Sequence, residues 1–152
     1  MKTHTSLRAK RQRGNVLVES AFVSLVFLCL LLGAFDFGQF LFVHQALVER
    51  ARYAMRWALA NGGNTTSDQI KNMVLYYSAT DPGNTTGYFG LTSSMVSSTV
   101  VYNSTDPVNG EWNNRITINI HDYPYTILSP YIAGTYSGPN INLTIPLGQK
   151  YE

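Results

Sequence analysis

A glycine and a glutamate near the N-terminus have a spacing that permits specific chemistry. Gly14 follows a basic cluster, and Glu19 lies shortly after it, at the start of a long apolar run. If the chain were cut after Gly14, Asn15 would carry a new α-amino group and Glu19 would become the fifth residue. A carboxylate in that position can neutralise an amine, its own or a neighbour's, where the dielectric constant is low. The spacing indicates a processing site followed by a polar contact inside an apolar helix.

A simpler interpretation of Glu19 stays open beside this one. A carboxylate near the end of an apolar helix can reach the lipid headgroups, or it can stabilise the helix N-terminus, where negative charge is favoured. Its cost there is about 1–3 kcal/mol, less than at the bilayer centre. Asp36 lies at the other end of the apolar run. We interpret Asp36 as a membrane-edge interface residue that contacts headgroups or another subunit.

Residue patterns typical of catalysis and metal binding are sparse. No phosphate-binding loop, HExxH, CxxC or serine-centred elbow occurs in the sequence. We interpret His44 as a tolerated polar member of a helix face, and His121-Asp122 near Glu111 as loop residues rather than a metal site. Cys29 lies inside the apolar run and is predicted to be a small packing residue. We therefore expect no enzyme activity, no metal, no cofactor and no small-molecule substrate.

One long helix must position these residues. Residues 15–60 contain no proline and are predicted to form a single helix, about 70 Å long at about 1.5 Å per residue. Residues 16–43 are apolar enough to cross a membrane, and residues 37–60 form an amphipathic segment. Glu49 and Arg52 are close enough on the polar face to pair. The predicted apolar stripe consists of Phe37, Phe40, Leu41, His44, Leu47, Val48, Ala51, Ala54, Met55 and Ala58.

Charge is segregated along the chain. The first 13 residues contain five basic residues and no acidic one, and from Gly14 onward six basic residues stand against nine acidic ones. A basic leader on a mildly acidic body argues against nucleic-acid binding. It also predicts that the N-terminus stays in the cytoplasm and that the C-terminal domain lies outside. A secretory signal peptide cut near Ala34 is an alternative, but apolar residues resume after Asp36, which favours a membrane anchor.

Residues 61–152 are predicted to form a small α+β extracytoplasmic domain. A short helix capped by Ser67 or Asp68 should extend to Tyr77, with Ile70, Met73, Val74 and Tyr77 on one side. Strands are predicted at residues 99–102, 116–120 and 141–145, and a proline-marked loop at residues 123–131. Residues 61–64, 81–84 and 106–110 have the composition of a helix end and of turns. The strands should form a three-stranded antiparallel sheet packed on the amphipathic half of the long helix.

The order of these features resembles a known family. Basic residues, Gly14, Glu19 and an apolar helix are similar to the processing site of type IV prepilins, which a prepilin peptidase cuts after the glycine. Residues 13–58 resemble the TadE-like family. The segments that carry the resemblance are Val18-Glu19, a leucine-rich run, Gly-Ala-Phe-Asp-Phe-Gly at 33–38, and Gln45-Ala46-Leu47 leading into Ala51-Arg52-Tyr53-Ala54. Ser20 stands where that family usually has a large residue such as phenylalanine.

The resemblance implies a structural subunit. TadE-like proteins are pseudopilins or minor pilins of the tight-adherence, Flp-type pilus system. By that resemblance, residues 1–14 are a leader, cleavage falls between Gly14 and Asn15, and Glu19 sets the register between subunits in an adhesive pilus. The implied partners are prepilin peptidase, other pilin-like subunits with their assembly machinery, and membrane lipid. The implied location is the bacterial inner membrane, with a single pass, or surface pili.

One alternative from another functional class is kept. The chain could be an uncleaved, single-pass membrane-anchored binding module whose extracytoplasmic β domain contacts a ligand. The two hypotheses differ in the N-terminal residue of the protein isolated from cells.

Overall fold

The structure is a computed structural model that describes residues 5–61, 65–83, 86–101, 114–127 and 134–147, with side chains of the first helix from Asn15 onward. It confirms the α+β class: one long helix is followed by small antiparallel sheets. The elements are α1 (Thr5–Ala60), α2 (Ser67–Tyr76), a 3-10 turn (Tyr88–Gly90), β1 (Val96–Val101), β2 (Arg115–Ile120), β3 (Pro124–Ile127), β4 (Gly134–Ser137) and β5 (Ile141–Pro146).

Helix α1 is a single rod, as predicted, but it begins at Thr5 rather than at Asn15. The residues before Gly14 include leucine, alanine, glutamine, arginine and lysine, which are strong helix formers, and no proline interrupts them. From Asn15 onward, α1 is long and apolar enough to cross a membrane by length and composition. The most apolar part of that stretch is not buried against the rest of the chain.

The C-terminal half of α1 supplies one side of the hydrophobic core. The predicted stripe is confirmed at Leu47, Ala51, Ala54, Met55 and Ala58, which are almost fully buried. It is wrong at its start, where the domain covers the helix only in part and leaves Phe40 half-buried. Phe37 and Leu41 are exposed, and the core instead begins at Val43. Three alanines on the buried face let the domain approach the helix axis closely.

The main sheet has the strand order β1-β2-β5, with both pairs antiparallel. Burial alternates along β2, so that Ile116, Ile118 and Ile120 face the core, as predicted. Ile116 lies opposite Val100 on one side and Ile145 on the other. The predicted three-stranded sheet is therefore confirmed, and β1 begins earlier than expected, at Val96.

Helix α2 fills the space between α1 and β1. Its N-cap is Thr66, which precedes both predicted caps, Ser67 and Asp68, and forms a capping box with Gln69. The Thr66 hydroxyl accepts from the Gln69 N–H at 3.3 Å, and the Gln69 side chain accepts from the Thr66 N–H at 3.0 Å. The prediction that Tyr77 faces the core is also wrong. Tyr77 is the left-handed C-cap and is exposed, and the residue buried in that turn is Leu75.

A second, two-stranded sheet corrects the predicted loop at residues 123–131. Strand β3 pairs with β4 in antiparallel fashion, with Tyr125 opposite Tyr136. Pro124 is the first residue of β3, a position that a proline can take because this sheet has only two strands and both are edges. The predicted turn at 81–84 is confirmed as far as Gly83, whose N–H donates to Asp81 Oδ1 at 2.9 Å. Residues 62–64, 84 and 106–110 lie outside the described residues.

Candidate assembly and membrane-edge site

Gly14 and Asn15, the predicted cleavage pair, lie within the continuous helix α1. The side chains of Asn15 and Glu19 are exposed, and Glu19 forms no ion pair with the residues whose side chains the structure describes. Ser20 Oγ donates to the Leu17 carbonyl at 3.0 Å, so the hydroxyl is satisfied within the helix itself. An exposed carboxylate at the start of an apolar helix remains available to a partner. The processing and register roles of these residues stay predictions.

A continuous apolar surface covers the N-terminal half of α1. Its large side chains are exposed on every side of the helix rather than on one stripe. Such a surface is far larger than the few hundred Å² that a soluble monomer normally exposes, and it needs lipid or other helices to cover it. The surface consists of Val16, Leu17, Val18, Phe22, Val23, Leu25, Val26, Phe27, Leu28, Leu30, Leu31, Phe35, Phe37, Leu41 and Phe42.

An aromatic cleft marks the junction between this apolar surface and the domain. The cleft has a volume of about 260 Å³ and is lined by Asp36, Phe37, Phe40, Tyr125 and Ile127. The Phe40 and Tyr125 ring centroids are 5.0 Å apart, and those of Phe37 and Phe40 are 6.5 Å apart. Asp36 is half-buried there. The structure therefore brings the predicted membrane-edge residue together with β3, an element that the sequence did not predict.

His44 and Tyr123 connect α1 to the second sheet. His44 Nδ1 lies 2.7 Å from the hydroxyl of Tyr123, whose ring is fully buried. The predicted tolerance of His44 on the apolar face thus has a structural reason, since its ring nitrogen has a hydrogen-bond partner. Burial raises the pKa of Tyr123, and the nearby Tyr125 adds to this effect.

Arg50 forms a second connection between α1 and the domain, nearer the C-terminal end of the helix than His44. Its guanidinium lies 4.6 Å from the centroid of the Tyr77 ring and 4.3 Å from that of Tyr88. The Tyr77 ring also stacks on the ring of Tyr53, and the two centroids are 4.4 Å apart. Cation–π contacts on two rings hold the end of α2 and the 3-10 turn against α1. The predicted pair between Arg52 and Glu49 is also present, at 2.8 Å, but it is exposed.

The remaining chemical candidates are dispersed in the described part of the chain. His121 Nδ1 lies 3.0 Å from Asp122 Oδ2 at the surface, and Glu111 lies outside the described residues. Among the residues described, no three His, Cys, Asp or Glu side chains come together as a metal site would need. Cys29 is exposed on the apolar surface of α1 rather than packed inside the chain. Its predicted packing would therefore require lipid or another helix.

One comparison with known proteins concerns the first helix. Residues 14–56, less than a third of the chain, match the family model described as TadE-like protein, which confirms the family resemblance. The match begins at Gly14 and supports a protein associated with the Tad pilus in general. No curated protein and no solved structure matches the chain.

Sequence reasoning missed the contacts that join the helix to the domain. The aromatic partners of Phe40 and Arg50 come from β3, from the end of α2 and from the 3-10 turn. The available signal was the large number of tyrosines, 10 in the chain, in a domain with little charge. Tyrosines pair with arginine and with other rings at such junctions, but their spacing along the chain does not say which rings meet.

Proposed function

We propose that this protein is a prepilin-like structural subunit that is cut after Gly14 and takes part in assembly of a tight-adherence pilus. The observation that carries the proposal is the start of α1. There a basic leader is followed by Gly14, the residue at which the family match begins. Glu19 is exposed near the start of an apolar surface that the rest of the chain leaves uncovered.

The exposed surface of α1 supports assembly through helix packing. Before assembly, lipid covers this surface, and in a fibre the rods of neighbouring subunits cover it. Glu19 is then withdrawn from water among apolar side chains, where an unpaired carboxylate is costly. The α-amino group that cleavage creates on Asn15 of a neighbour is a cation of the right charge to pair with it.

Cleavage between Gly14 and Asn15 requires local opening of α1, because the helix runs through that bond. Glycine is the weakest helix former after proline, by about 1 kcal/mol relative to alanine. Gly14 therefore makes opening easiest where the peptidase must act. The proposed orientation in the inner membrane places the leader in the cytoplasm and the domain on the opposite side, as the basic N-terminus favours.

The test is the N-terminus of the mature protein, read by intact-mass spectrometry of protein expressed with a prepilin peptidase. We expect wild-type protein to lose residues 1–14, and Gly14→Ala or Gly14→Arg to keep them. Gly33→Ala is the matched control, because a Cβ added at Gly33 meets no atom within 4 Å. Recovery of uncut protein from pilus preparations would exclude processing and favour the membrane-anchored binding module. Release of a soluble form that begins near Ala34 would exclude both.

A further inference from the structure

The aromatic cleft lies at a defined height on α1. The mainly apolar stretch from Val16 to Phe35, in which Glu19 near the start is the one charged residue, is about 30 Å long at about 1.5 Å per residue, which equals the thickness of the hydrocarbon core of a bilayer. With that run in the membrane, Asp36 and the cleft lie at headgroup level in the leaflet on the domain's side. Aromatic side chains concentrate at this level in membrane proteins.

The lining of the cleft has the chemistry of an ammonium site. Phe40 and Tyr125 present two rings whose planes are inclined by 57°, and Phe37 adds a third ring beside them. Ring faces attract cations, and rings that enclose a small space are a known way to hold an organic ammonium group. Asp36 adds a carboxylate at the same opening. A cation that enters therefore finds aromatic rings and a carboxylate in the same lining.

We propose that this cleft binds the ammonium headgroup of a phospholipid in the leaflet on the domain's side. The headgroup occupies the cleft that Asp36, Phe40 and Tyr125 line. The acyl chains continue along the exposed surface of α1, where Phe37 is 61% exposed and Phe35 is 65% exposed directly beside the cleft. The proposal rests on the membrane span, but it depends neither on cleavage after Gly14 nor on pilus assembly.

Charge favours a lipid that carries an ammonium group as the occupant, because the cleft opening carries the carboxylate of Asp36 among apolar and aromatic side chains. Asp36 repels the phosphate of an anionic lipid, and an ammonium group carried beside that phosphate offsets the repulsion. We therefore expect phosphatidylethanolamine to be retained in preference to phosphatidylglycerol.

The experiment uses the full-length protein reconstituted in nanodiscs that contain equal amounts of these two lipids. Native mass spectrometry then measures which lipid stays bound to the protein released from the discs. We expect about a threefold enrichment of phosphatidylethanolamine, the size of one exposed cation–π contact with an ion pair. Asp36→Asn and Tyr125→Leu should each bring the ratio close to one.

Two matched controls should keep the enrichment. Asp122→Asn removes an exposed carboxylate from the domain surface, and Phe22→Leu removes an exposed ring from the apolar run; neither residue lines the cleft. Asp36→Asn is nearly isosteric, so it decides the matter if circular dichroism shows that Tyr125→Leu disturbs β3. Equal retention of both lipids by the wild type, or enrichment that survives Asp36→Asn, would overturn the proposal. Extraction of the protein from membranes by carbonate would instead contradict the membrane span itself.

Discussion

Tyr123 shows how one buried side chain limits which residues can occupy the positions that surround it in space. Its ring is fully buried, its hydroxyl meets His44, and its carbonyl accepts from the Gly138 N–H at 2.8 Å. A Cβ added at Gly138 would lie 2.0 Å from the Tyr123 ring, which no real contact permits. Position 138 must therefore be glycine because of a close approach, and the sequence pattern alone does not show this.

The raised pKa of Tyr123 also sets the pH range of its contribution to stability. The folded protein holds the phenol proton more tightly than the unfolded chain, in which the pKa is 10.0. The contribution of this residue is therefore complete below that value and is lost as pH rises through the higher folded-state pKa.

Gly138→Ala should destabilise the domain by about 3 kcal/mol, because the methyl group displaces the buried Tyr123 ring. Thermal unfolding of the full-length protein in detergent, followed by near-ultraviolet circular dichroism, measures this as a Tm lower by several degrees. Gly134→Ala is the control, since a Cβ there meets the Tyr136 ring at an ordinary 3.5 Å. Equal Tm values for the two variants would contradict the close-approach argument.

At the scale of elements, the sequence predicted those with a strong periodic signal. The alternation of Ile116, Ile118 and Ile120 with polar residues predicted β2, and the apolar stripe of α1 predicted most of the buried face. β3 and β4 were missed because their residues alternate weakly and are mostly half-buried or exposed. The Thr66 cap was missed because Ser67 and Asp68 are also good capping residues, although the sequence Thr66-Ser67-Asp68-Gln69 fits the capping-box pattern and theirs does not.

The sequence indicated candidate residues along α1, and their roles stay predictions. Gly14, Glu19 and Asp36 carry their signal in residue type and position along one helix, where spacing gives geometry directly. The cleft and the Arg50 contacts join residues far apart in the chain. Their positions depend on how the domain packs on α1, and local sequence does not determine that.

Arg50→Lys should destabilise the packing of α2 and the 3-10 turn on α1 by about 1 kcal/mol. A lysine ammonium keeps the charge but lacks the planar surface that stacks on Tyr77 and Tyr88. The matched control is Arg52→Lys, whose exposed pair with Glu49 should contribute less than about 0.5 kcal/mol. Urea unfolding in detergent compares the two. An effect of equal size in both variants would show that the two rings contribute nothing specific.

At the scale of the whole molecule, α1 divides into a half that the domain covers and a half that it leaves exposed. The boundary lies between Leu41, which is exposed, and Val43, which is buried. Every large apolar residue from Val16 to Leu31 that is exposed in the single chain must find lipid or a neighbouring rod. The domain thus has a buried core of its own, whereas the N-terminal half of α1 needs lipid or other helices to cover its apolar side chains.

Glu19→Ala should leave cleavage after Gly14 intact and reduce the amount of subunit recovered in sheared pili several-fold. Under the proposed function, the variant removes the partner of a neighbour's α-amino group and leaves Gly14, after which the peptidase would cut, unaltered. Ser20→Ala is the control, because the Ser20 hydroxyl contacts only the Leu17 carbonyl within its own helix. Normal recovery of Glu19→Ala would instead support the interpretation that Glu19 only contacts lipid headgroups.

Because α1 has no break between Asn15 and Ala60, the number of residues between two positions gives the angle between them around the helix axis. Each residue turns the helix by about 100°, so the direction in which the domain faces is tied to the direction in which Glu19 points. Adding one residue near Gly33 would swing the domain by about 100° around the axis, whereas adding seven would change its bearing by only about 20°. The number of residues in the helix therefore sets the direction in which the domain faces around the helix axis. A packed filament would tolerate the insertion of seven residues better than the insertion of one.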